Sequence, residues 1–343
     1  MPRINALTMP TMAKINAIKK DYTAASFFAG GGGSSCGYKL AGFDMRLSNE
    51  FVPAAQDTYL ANHPKTILLP DDVRTITPKR VLSETGLSVG DLDLLDGSPP
   101  CSAFSAAGVV EDGWGKVKKY SDTEQRVDDL FDEFLRLLKG LKPKTFVAEN
   151  VQGLVRGAAT GYFTHVIKTM KACGYNVEAR VLDASWLGVP QERKRLIFVG
   201  VRKDLKLAPV HPDPYAYQLT VKDALPHIDY IKIPSKMKYE PSTRPSLTIT
   251  ASDALTSETA RFSCGGFVET SDGTRRKYNL KELRVICSFP KDYVLTGTPE
   301  QQWERLGRAV PPLMHYNVGL ALREHVLDAV YGRRHRKDVL WGA

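Results

Sequence analysis

The sequence predicts an α/β protein with a largely parallel sheet and a second, smaller domain. Short apolar runs, typical of strands buried on both faces of a parallel sheet, alternate with helical patterns up to about residue 200. From Lys203 to about Leu280, prolines, threonines and short strands replace that alternation. The chain has 343 residues, enough for one large domain or two of unequal size.

Charge and hydropathy narrow the class of protein. A net charge of +9 and a pI of about 9.2 permit nucleic-acid binding through phosphate contacts, although many basic proteins bind no nucleic acid. No run of about 18 apolar residues occurs, so no membrane span is predicted. Residues 1–20 lack the apolar segment of a secretory signal and are expected to form a loose basic tail.

The spacing of the cysteines bears on two common classes of cysteine site, zinc sites and disulfide frameworks. None of them has a C-x-x-C spacing, which argues against a zinc site and against a disulfide framework. A reducing, cytoplasmic compartment fits this usage. The five cysteines are Cys36, Cys101, Cys173, Cys264 and Cys287.

The first predicted strand leads into a glycine-rich turn. Thr23–Phe28 precedes Ala29–Gly33, and a helix is expected from about Ser34, so that the backbone can approach a cofactor at a helix N-terminus. Glu50 ends the second strand about 20 positions later, where an acid commonly binds ribose hydroxyls. Asp72 follows the next segment and is a candidate for the adenine edge. The alternative interpretations are a flexible turn for the glycine-rich segment and solvated carboxylates for Glu50 and Asp72.

A cysteine follows another predicted strand. The apolar run Leu92–Gly97 is typical of a buried strand, and Pro99 and Pro100 stiffen the chain before Cys101. Ligands of open α/β sheets bind beyond the carboxyl ends of strands, which makes this cysteine a candidate functional group. A turn with a buried structural cysteine is the alternative. The polar segment Phe104–Arg126 is interpreted as a mobile lid whose lysines contact phosphates, or as a solvated charge run.

Two further segments bring charged groups to predicted strands. Thr145–Ala148 is a buried strand that delivers Glu149 and Asn150 at its carboxyl end, level with the cysteine. Arg193 and Arg195 precede a later buried strand. Alternating arginines at this place clamp an anion or form a solvated edge.

In this order, the segments resemble the motifs of the DNA cytosine-5 methyltransferases. The resemblance covers roughly Ala24 to Val330. Two positions depart from the family pattern: Ser26 or Phe27 replaces the acid that usually precedes the glycine loop, and Arg308 replaces a usual Asn. We expect the Arg308 side chain to turn away from the methyl donor, toward DNA phosphate or solvent. The matching segments are Phe28-Ala29-Gly30 with Gly32-Gly33, Glu50 and Asp72, Pro99-Pro100-Cys101 with Phe104-Ser105, Glu149-Asn150-Val151, Gln191-x-Arg193-x-Arg195, Arg284 to Pro290, and Ala309-Val310-Pro311-Pro312.

The resemblance implies a cofactor and its binding residues. The methyl donor of the family is S-adenosylmethionine, which leaves as S-adenosylhomocysteine, and no metal is implied. The positions that match the family's cofactor site are Phe28, Ala29, Gly30, Gly32, Gly33, Glu50, Phe51, Asp72, Val73 and Pro100.

The resemblance also implies catalytic roles. Cys101 is the nucleophile that adds to carbon 6 of a flipped-out cytosine. Glu149 holds N3 and the exocyclic amine of that base and helps to protonate the ring. Asn150 braces the backbone at the nucleophile. Arg193 and Arg195 anchor the base or a neighbouring phosphate.

The implied architecture is an S-adenosylmethionine-dependent methyltransferase sheet with a target-recognition domain. Residues 21–202 and 301–343 are assigned to the catalytic domain and residues 203–300 to the recognition domain, with double-stranded DNA in the cleft between them. A short target sequence, a monomer and a separately acting restriction endonuclease are the further expectations.

Three alternative functions remain open at this point. The first is a transfer RNA cytosine-5 methyltransferase of the same fold, although its usual Cys-Phe-Thr signature is absent from the sequence. The second is an N4-cytosine amino-methyltransferase, whose loop resembles Ser98-Pro99-Pro100 but carries an aromatic residue next. The third is a catalytically silent DNA-binding regulator, against which Cys101 and Glu149 argue.

Overall fold

The computed structural model describes residues 4–99, 117–120, 123–126, 129–155, 160–254 and 266–333. The predicted lid falls mostly outside these ranges, and of residues 117–126 only the backbone of a two-stranded antiparallel ribbon is described. The strands are β1 (Tyr22–Phe27), β2 (Phe43–Asn49), β3 (Ile67–Leu69), β4 (Leu94–Gly97), β5 (Val117–Tyr120), β6 (Thr123–Arg126), β7 (Thr145–Val151), β8 (Tyr175–Asp183), β9 (Lys194–Arg202), β10 (Ile228–Ile233), β11 (Lys238–Pro241), β12 (Phe267–Thr270) and β13 (Arg275–Lys277).

The helices alternate with the strands in the first 200 residues and cluster again near the C-terminus. In the described part of the chain, none of them has the length and apolar character needed to cross a bilayer. The helices are α1 (Met12–Ala17), α2 (Gly33–Leu40), α3 (Pro53–Asn62), α4 (Pro78–Thr85), α5 (Leu130–Leu141), α6 (Thr160–Ala172), α7 (Val221–Ala224), α8 (Leu280–Ile286), α9 (Pro299–Arg308), α10 (Pro312–Leu322) and α11 (Asp328–Val330).

The large sheet has seven strands in the order β3-β2-β1-β4-β7-β9-β8. The first five are parallel to their neighbours, and β9 runs antiparallel to both β7 and β8. The predicted α/β sheet is therefore confirmed. Because the carboxyl ends of the five parallel strands meet at one edge, the residues that follow them lie close together.

Helices cover both faces of this sheet, which explains its apolar strands. On one face α2 packs against α10, with Tyr38 and Leu313 fully buried. On the other face α5 buries a stripe at helical spacing that includes Phe134 and Leu138. Strands covered on both sides bury nearly every side chain, and β4 and β7 are buried along almost their whole length, including the polar residues Asp96, Glu149 and Asn150.

A second, smaller sheet lies within residues 203–300. Its four strands are antiparallel, in the order β11-β10-β12-β13. Helix α8 follows it, α9 packs against α8, and α10 returns the chain to the large sheet. This second sheet agrees with the change of composition seen after Lys203.

The N-terminal segment is packed against the protein, so the prediction of a loose tail is wrong for residues 4–20. Ile4, Met12 and Ile15 are buried, and their burial offsets the entropy of ordering the segment. The backbone amide of Met12 donates to both carboxylate oxygens of Asp292, at 2.9 and 3.1 Å. The buried apolar positions lie among basic residues, so the composition of the segment favoured a solvated tail.

Candidate active site

A cavity of about 460 Å³ opens at the carboxyl ends of β1, β2, β4 and β7. Its opposite wall consists of Thr250, Ala251 and the end of α9 with the turn that follows it. Seven of the predicted cofactor residues line this cavity: Phe28, Ala29, Gly30, Gly33, Glu50, Phe51 and Val73.

The glycine loop adopts backbone conformations that most residues avoid. Phe28 has a φ of 59°, which is in the left-handed region, and lines the cavity. Gly32 has a φ of 88°, and a Cβ atom there would lie 2.5 Å from Nε2 of His63. Gly32 is not among the lining residues, so its role in the structure is to let the loop pack against His63.

The Glu50 carboxylate fixes this loop from the neighbouring strand. Its Oε2 accepts from the amide of Gly30 at 2.6 Å, and its Oε1 accepts from the amide of Val52 at 2.7 Å. Burial raises the pKa of Glu50, while these two amide bonds act in the opposite direction. A strand-end acid predicted to bind ribose thus also holds the glycine loop in place.

The Asp72 side chain binds Arg74 and does not line the cavity. Its carboxylate accepts from the amide of Arg74 at 3.0 Å and forms an ion pair with the Arg74 guanidinium at 2.9 Å. The neighbouring Val73 lines the cavity, whereas Asp72 is not among the lining residues. The contact of Asp72 with an adenine edge therefore stays a prediction.

The chain after β4 enters the cavity at Ser98 and Pro99. Pro100 and Cys101 lie outside the described residues. Asn150 donates from Nδ2 to the carbonyl of Pro99 at 3.4 Å, so it contacts this loop one residue before the backbone that we expected it to brace.

Glu149 and Arg195 form an ion pair at the cavity wall, with Nε and Oε1 2.8 Å apart. Antiparallel pairing of β7 with β9 sets Val151 opposite Arg195, which brings the arginine beside the acid. Both side chains are mostly buried, at 10% and 17% exposure. The pair joins two residues that the sequence had placed in separate motifs.

Arg193 makes different contacts from those expected. Its side chain is buried and donates to the carbonyls of Ile249, Gly307 and Arg308 at 2.9, 3.0 and 3.2 Å. Burial, reinforced by the nearby Arg195, lowers the pKa of Arg193 to about 9. Both terminal nitrogens thus hold backbone of the opposite wall, and these contacts do not support an anchor for a base or phosphate.

Several lining residues were not predicted from the sequence. Arg305 is buried and donates from Nε to the carbonyl of Ala54 at 3.3 Å. Arg308 lines the cavity and pairs with Glu304 at 2.7 Å, with its side chain 44% exposed, so its orientation toward DNA phosphate or solvent stays a prediction. No local sequence motif identifies Arg305 as a cavity residue. The unpredicted lining residues include Asn49, Thr250, Ala251, Glu304, Arg305, Gly307 and His315.

Comparison with known proteins decides the family. The family model for C-5 cytosine-specific DNA methylases matches residues 22–229, which is more than half of the chain. The chain belongs to the C-5 cytosine-specific DNA methylase family. The matched segment includes the glycine loop, Glu50, Cys101, Glu149 and Arg195.

Curated relatives of this family member are type II methyltransferases of bacteria. It is 33% identical to the type II methyltransferase M.NgoPII of Neisseria gonorrhoeae over 217 residues, 61% of this chain and 58% of the relative. It is 28% identical to M1.HphI of Haemophilus parahaemolyticus over 85% of this chain and 84% of the relative. M.FnuDI of Fusobacterium nucleatum is 27% identical over 88% of this chain and 94% of its own length.

Solved structures share the fold. DNMT2 of Spodoptera frugiperda superposes with a TM-score of 0.68 at 18% identity, covering 89% of this chain and all of that one. The Dnmt2 methyltransferase of S. pombe gives a TM-score of 0.63 at 18% identity, covering 88% and 98%. At this identity the likeness shows the fold alone.

Proposed function

We propose that this protein transfers a methyl group from S-adenosylmethionine to carbon 5 of a cytosine in a short, specific duplex DNA sequence. The observation that carries the proposal is the Glu149–Arg195 pair, 2.8 Å apart in the cavity that Ser98 and Pro99 enter just before Cys101. An acid, the start of the cysteine loop and the glycine loop border one space, which is the set of groups that the reaction needs.

The residues of the cavity fit the methyl donor. A volume of about 460 Å³ suits a ligand of this size, and the Glu50 carboxylate beside the glycine loop offers an acceptor to its polar groups. When bound, S-adenosylmethionine supplies an electrophilic methyl group and leaves as S-adenosylhomocysteine. Gly30, Glu50, Phe51 and Val73 would hold the adenosine part, and no metal-binding cluster occurs among the described residues.

Cys101 opens the reaction by covalent catalysis. Its thiolate bonds to carbon 6 of the cytosine, and the electron pair released from the ring makes carbon 5 nucleophilic. Carbon 5 takes the methyl group, a base removes the carbon 5 proton, and the bond between carbon 6 and sulfur breaks. The aromatic ring and the thiolate are both regenerated, so atoms and charges balance over the cycle.

The neighbouring residues position and protonate the base. Glu149 holds N3 and the exocyclic amine, and a proton that its carboxylate takes up from solvent passes to N3 as the thiolate adds. Arg195 fixes the Glu149 carboxylate through their ion pair. Asn150 restrains the loop through the Pro99 carbonyl. The cytosine must leave the duplex, because carbon 6 is not accessible to a side chain inside the stack.

Residues 203–300 would read the target sequence. The chain carries a net charge of +9, which favours phosphate contacts, and sequence is read by a few side chains at base edges. Because M.NgoPII and M1.HphI are type II methyltransferases, a restriction endonuclease that acts separately on the same sequence is the proposed partner. We propose that the methyltransferase itself acts as a monomer in the cytoplasm.

Base analysis after methylation with labelled S-adenosylmethionine tests this function. Duplex DNA and transfer RNA are offered in parallel, and the methylated nucleosides are separated by chromatography and mass. 5-Methylcytosine in DNA supports the proposal, and bisulfite sequencing then gives the target. N4-Methylcytosine, label in transfer RNA alone, or no label despite DNA binding each contradicts it in favour of one of the three alternatives.

A further inference from the structure

The segment that follows α8 packs against the glycine loop, although the proposed reaction gives it no role. We call this segment, residues 289–296, the strap. Phe289 and Tyr293 of the strap are buried, and their rings pack edge to face with centroids 4.8 Å apart. A Cβ atom on Gly33 would lie 3.1 Å from Cζ of Phe289, so the contact with the loop is close. None of the residues 289–296 lines the cavity, so the strap lies behind the loop as seen from the cavity.

The strap is itself fixed from two sides. Arg284 on α8 donates from Nη1 to the carbonyls of Lys291 and Tyr293, at 3.1 and 3.0 Å. Asn62 at the end of α3 pairs with both backbone groups of Val294: its Oδ1 accepts from the amide at 2.9 Å, and its Nδ2 donates to the carbonyl at 2.8 Å. Tyr293 lies between these two anchors, so its backbone has little freedom to move.

The Tyr293 side chain binds the backbone of the glycine loop. Its hydroxyl donates to the carbonyl of Gly31, and burial raises the pKa of Tyr293 well above its ordinary value, so the hydroxyl keeps its proton. Nε2 of the buried His63 lies 3.2 Å from this hydroxyl and 3.2 Å from the carbonyl of Gly32. Because a carbonyl only accepts, Nε2 carries the imidazole hydrogen. Two buried donors therefore face the carbonyls of Gly31 and Gly32.

The peptide unit between Gly31 and Gly32 needs such a restraint. Glycines rotate at low cost, and Gly30 and Gly32 already adopt φ values of 54° and 88°. The carbonyl of this peptide unit accepts from Tyr293, and its N–H group donates to the carbonyl of Ala29 at 3.0 Å. Rotation of the peptide would break both bonds. Glu50 fixes the loop from the sheet side, and Tyr293 fixes it from the opposite side.

We infer that Tyr293 is a positioning residue, whose hydroxyl holds the Gly31–Gly32 peptide in the orientation in which the glycine loop binds the methyl donor. This inference rests on the proposed function. Gly30 and Gly31 line the cavity and Tyr293 does not, so the tyrosine acts through the loop and makes no contact with the ligand. A loop that is already ordered loses less conformational freedom on binding, so the hydroxyl raises the affinity for the cofactor.

Calorimetry and steady-state kinetics of Tyr293→Phe test the inference. The variant keeps the buried ring and removes only the hydroxyl. We expect the Kd of S-adenosylhomocysteine and the KM for S-adenosylmethionine to rise roughly three- to tenfold, as for the loss of one hydrogen bond. The affinity for duplex DNA should stay within about twofold, and kcat should fall by a smaller factor than KM rises.

Tyr175→Phe is the matched control. The Tyr175 hydroxyl is also buried and donates to a backbone carbonyl, that of Pro143, at 2.7 Å. This bond lies where β7 and β8 begin, at the edge of the sheet opposite to the cavity. Urea titrations should show a similar loss of stability for both variants, because each loses one buried hydrogen bond. Only Tyr293→Phe should weaken cofactor binding.

Amide hydrogen exchange of the wild type tests the same inference without any variant. Because Tyr293 joins the loop to the strap, saturating S-adenosylhomocysteine should slow exchange in residues 29–33 and at the Val294 amide together. In Tyr293→Phe the ligand should still slow exchange in the loop and should no longer do so at Val294.

The outcomes separate this inference from the proposed function. The inference alone is overturned if Tyr293→Phe binds S-adenosylhomocysteine as tightly as the wild type, if cofactor and DNA binding weaken equally, or if Tyr175→Phe weakens cofactor binding by the same factor. Slower exchange in the loop without any change in the strap of the wild type also overturns it. A wild-type protein that does not bind S-adenosylhomocysteine overturns the proposed function together with the inference.

Discussion

The two walls of the cavity are built in different ways. On the sheet wall, Glu50 and Glu149 come directly at the ends of strands, and short local segments place them. On the opposite wall, Thr250 and the carbonyls at the end of α9 come from distant parts of the chain. They are held by the buried guanidinium of Arg193 and by Trp303, whose Nε1 donates to the Thr250 carbonyl at 3.0 Å.

The two walls therefore differ in their proposed roles: the sheet wall acts in the reaction, and the opposite wall supports the structure of the cavity. The sheet wall carries the acidic group proposed to act in the reaction, whereas the opposite wall is fixed mainly through backbone carbonyls. Arg193 and Arg195 illustrate it within one motif: the first holds backbone of the opposite wall and the second pairs with Glu149. Changes on the sheet wall should therefore act on rate, and changes at the opposite wall should act first on stability or binding.

The largest effect is expected for Cys101→Ser. A hydroxyl is a far weaker nucleophile than a thiolate at neutral pH, so methylation should be abolished while cofactor and DNA binding stay largely intact. Single-turnover transfer of labelled methyl groups measures the rate, and gel-shift titration measures DNA binding. Residual methylation near the wild-type rate would remove the cysteine from the mechanism.

Glu149→Gln should slow the chemical step by roughly 10²–10⁴-fold, which is the usual contribution of a positioned acid or base. Cofactor affinity should hardly change. The same single-turnover assay checks the rate, and calorimetry with S-adenosylhomocysteine checks the affinity. A rate close to wild type would mean that the ion pair with Arg195 is only structural.

The two arginines provide a matched pair of variants. Arg193→Met leaves three carbonyls without their donor, two of them in buried hydrogen bonds, and should lower the free energy of unfolding by about 1–3 kcal/mol. Arg195→Met leaves the mostly buried Glu149 carboxylate without its partner, so it should also lower stability, but it should in addition slow methyl transfer, which Arg193→Met should not do. Urea titrations and single-turnover rates distinguish the two. Equal effects of both variants on both measurements would contradict the division between the walls.

The smallest effect is expected for Arg308→Asn. The guanidinium pairs with Glu304 at the cavity edge and is partly exposed. If it also contacts a DNA phosphate, the variant should bind all sequences more weakly by a similar factor and reduce the salt slope by about 1. DNA titrations across salt concentrations measure this slope. An unchanged slope with altered S-adenosylhomocysteine affinity would assign Arg308 to the cofactor site.

The same difference between the walls explains what the sequence could predict. Glu50 follows β2 and Glu149 lies near the carboxyl end of β7, and the carboxyl ends of parallel strands meet at one edge, so their shared location was predictable. Arg305 and Thr250 reach the cavity through long-range packing for which the sequence carries no local signal. His315 left a weak signal, as a lone histidine in the apolar run of α10. The buried N-terminal segment was missed because three scattered apolar residues do not form a periodic pattern.

Covalent trapping tests the central claim most directly. Duplex DNA that carries 5-fluorocytosine at the target site is incubated with the protein and S-adenosylmethionine, because fluorine cannot leave carbon 5 as a proton does. The account predicts a stable adduct that mass spectrometry of the digested complex locates at Cys101, and no adduct with Cys101→Ser. Active protein that methylates normal DNA yet forms no adduct with the fluorinated DNA would contradict the carbon 5 mechanism and favour methylation of the exocyclic amine.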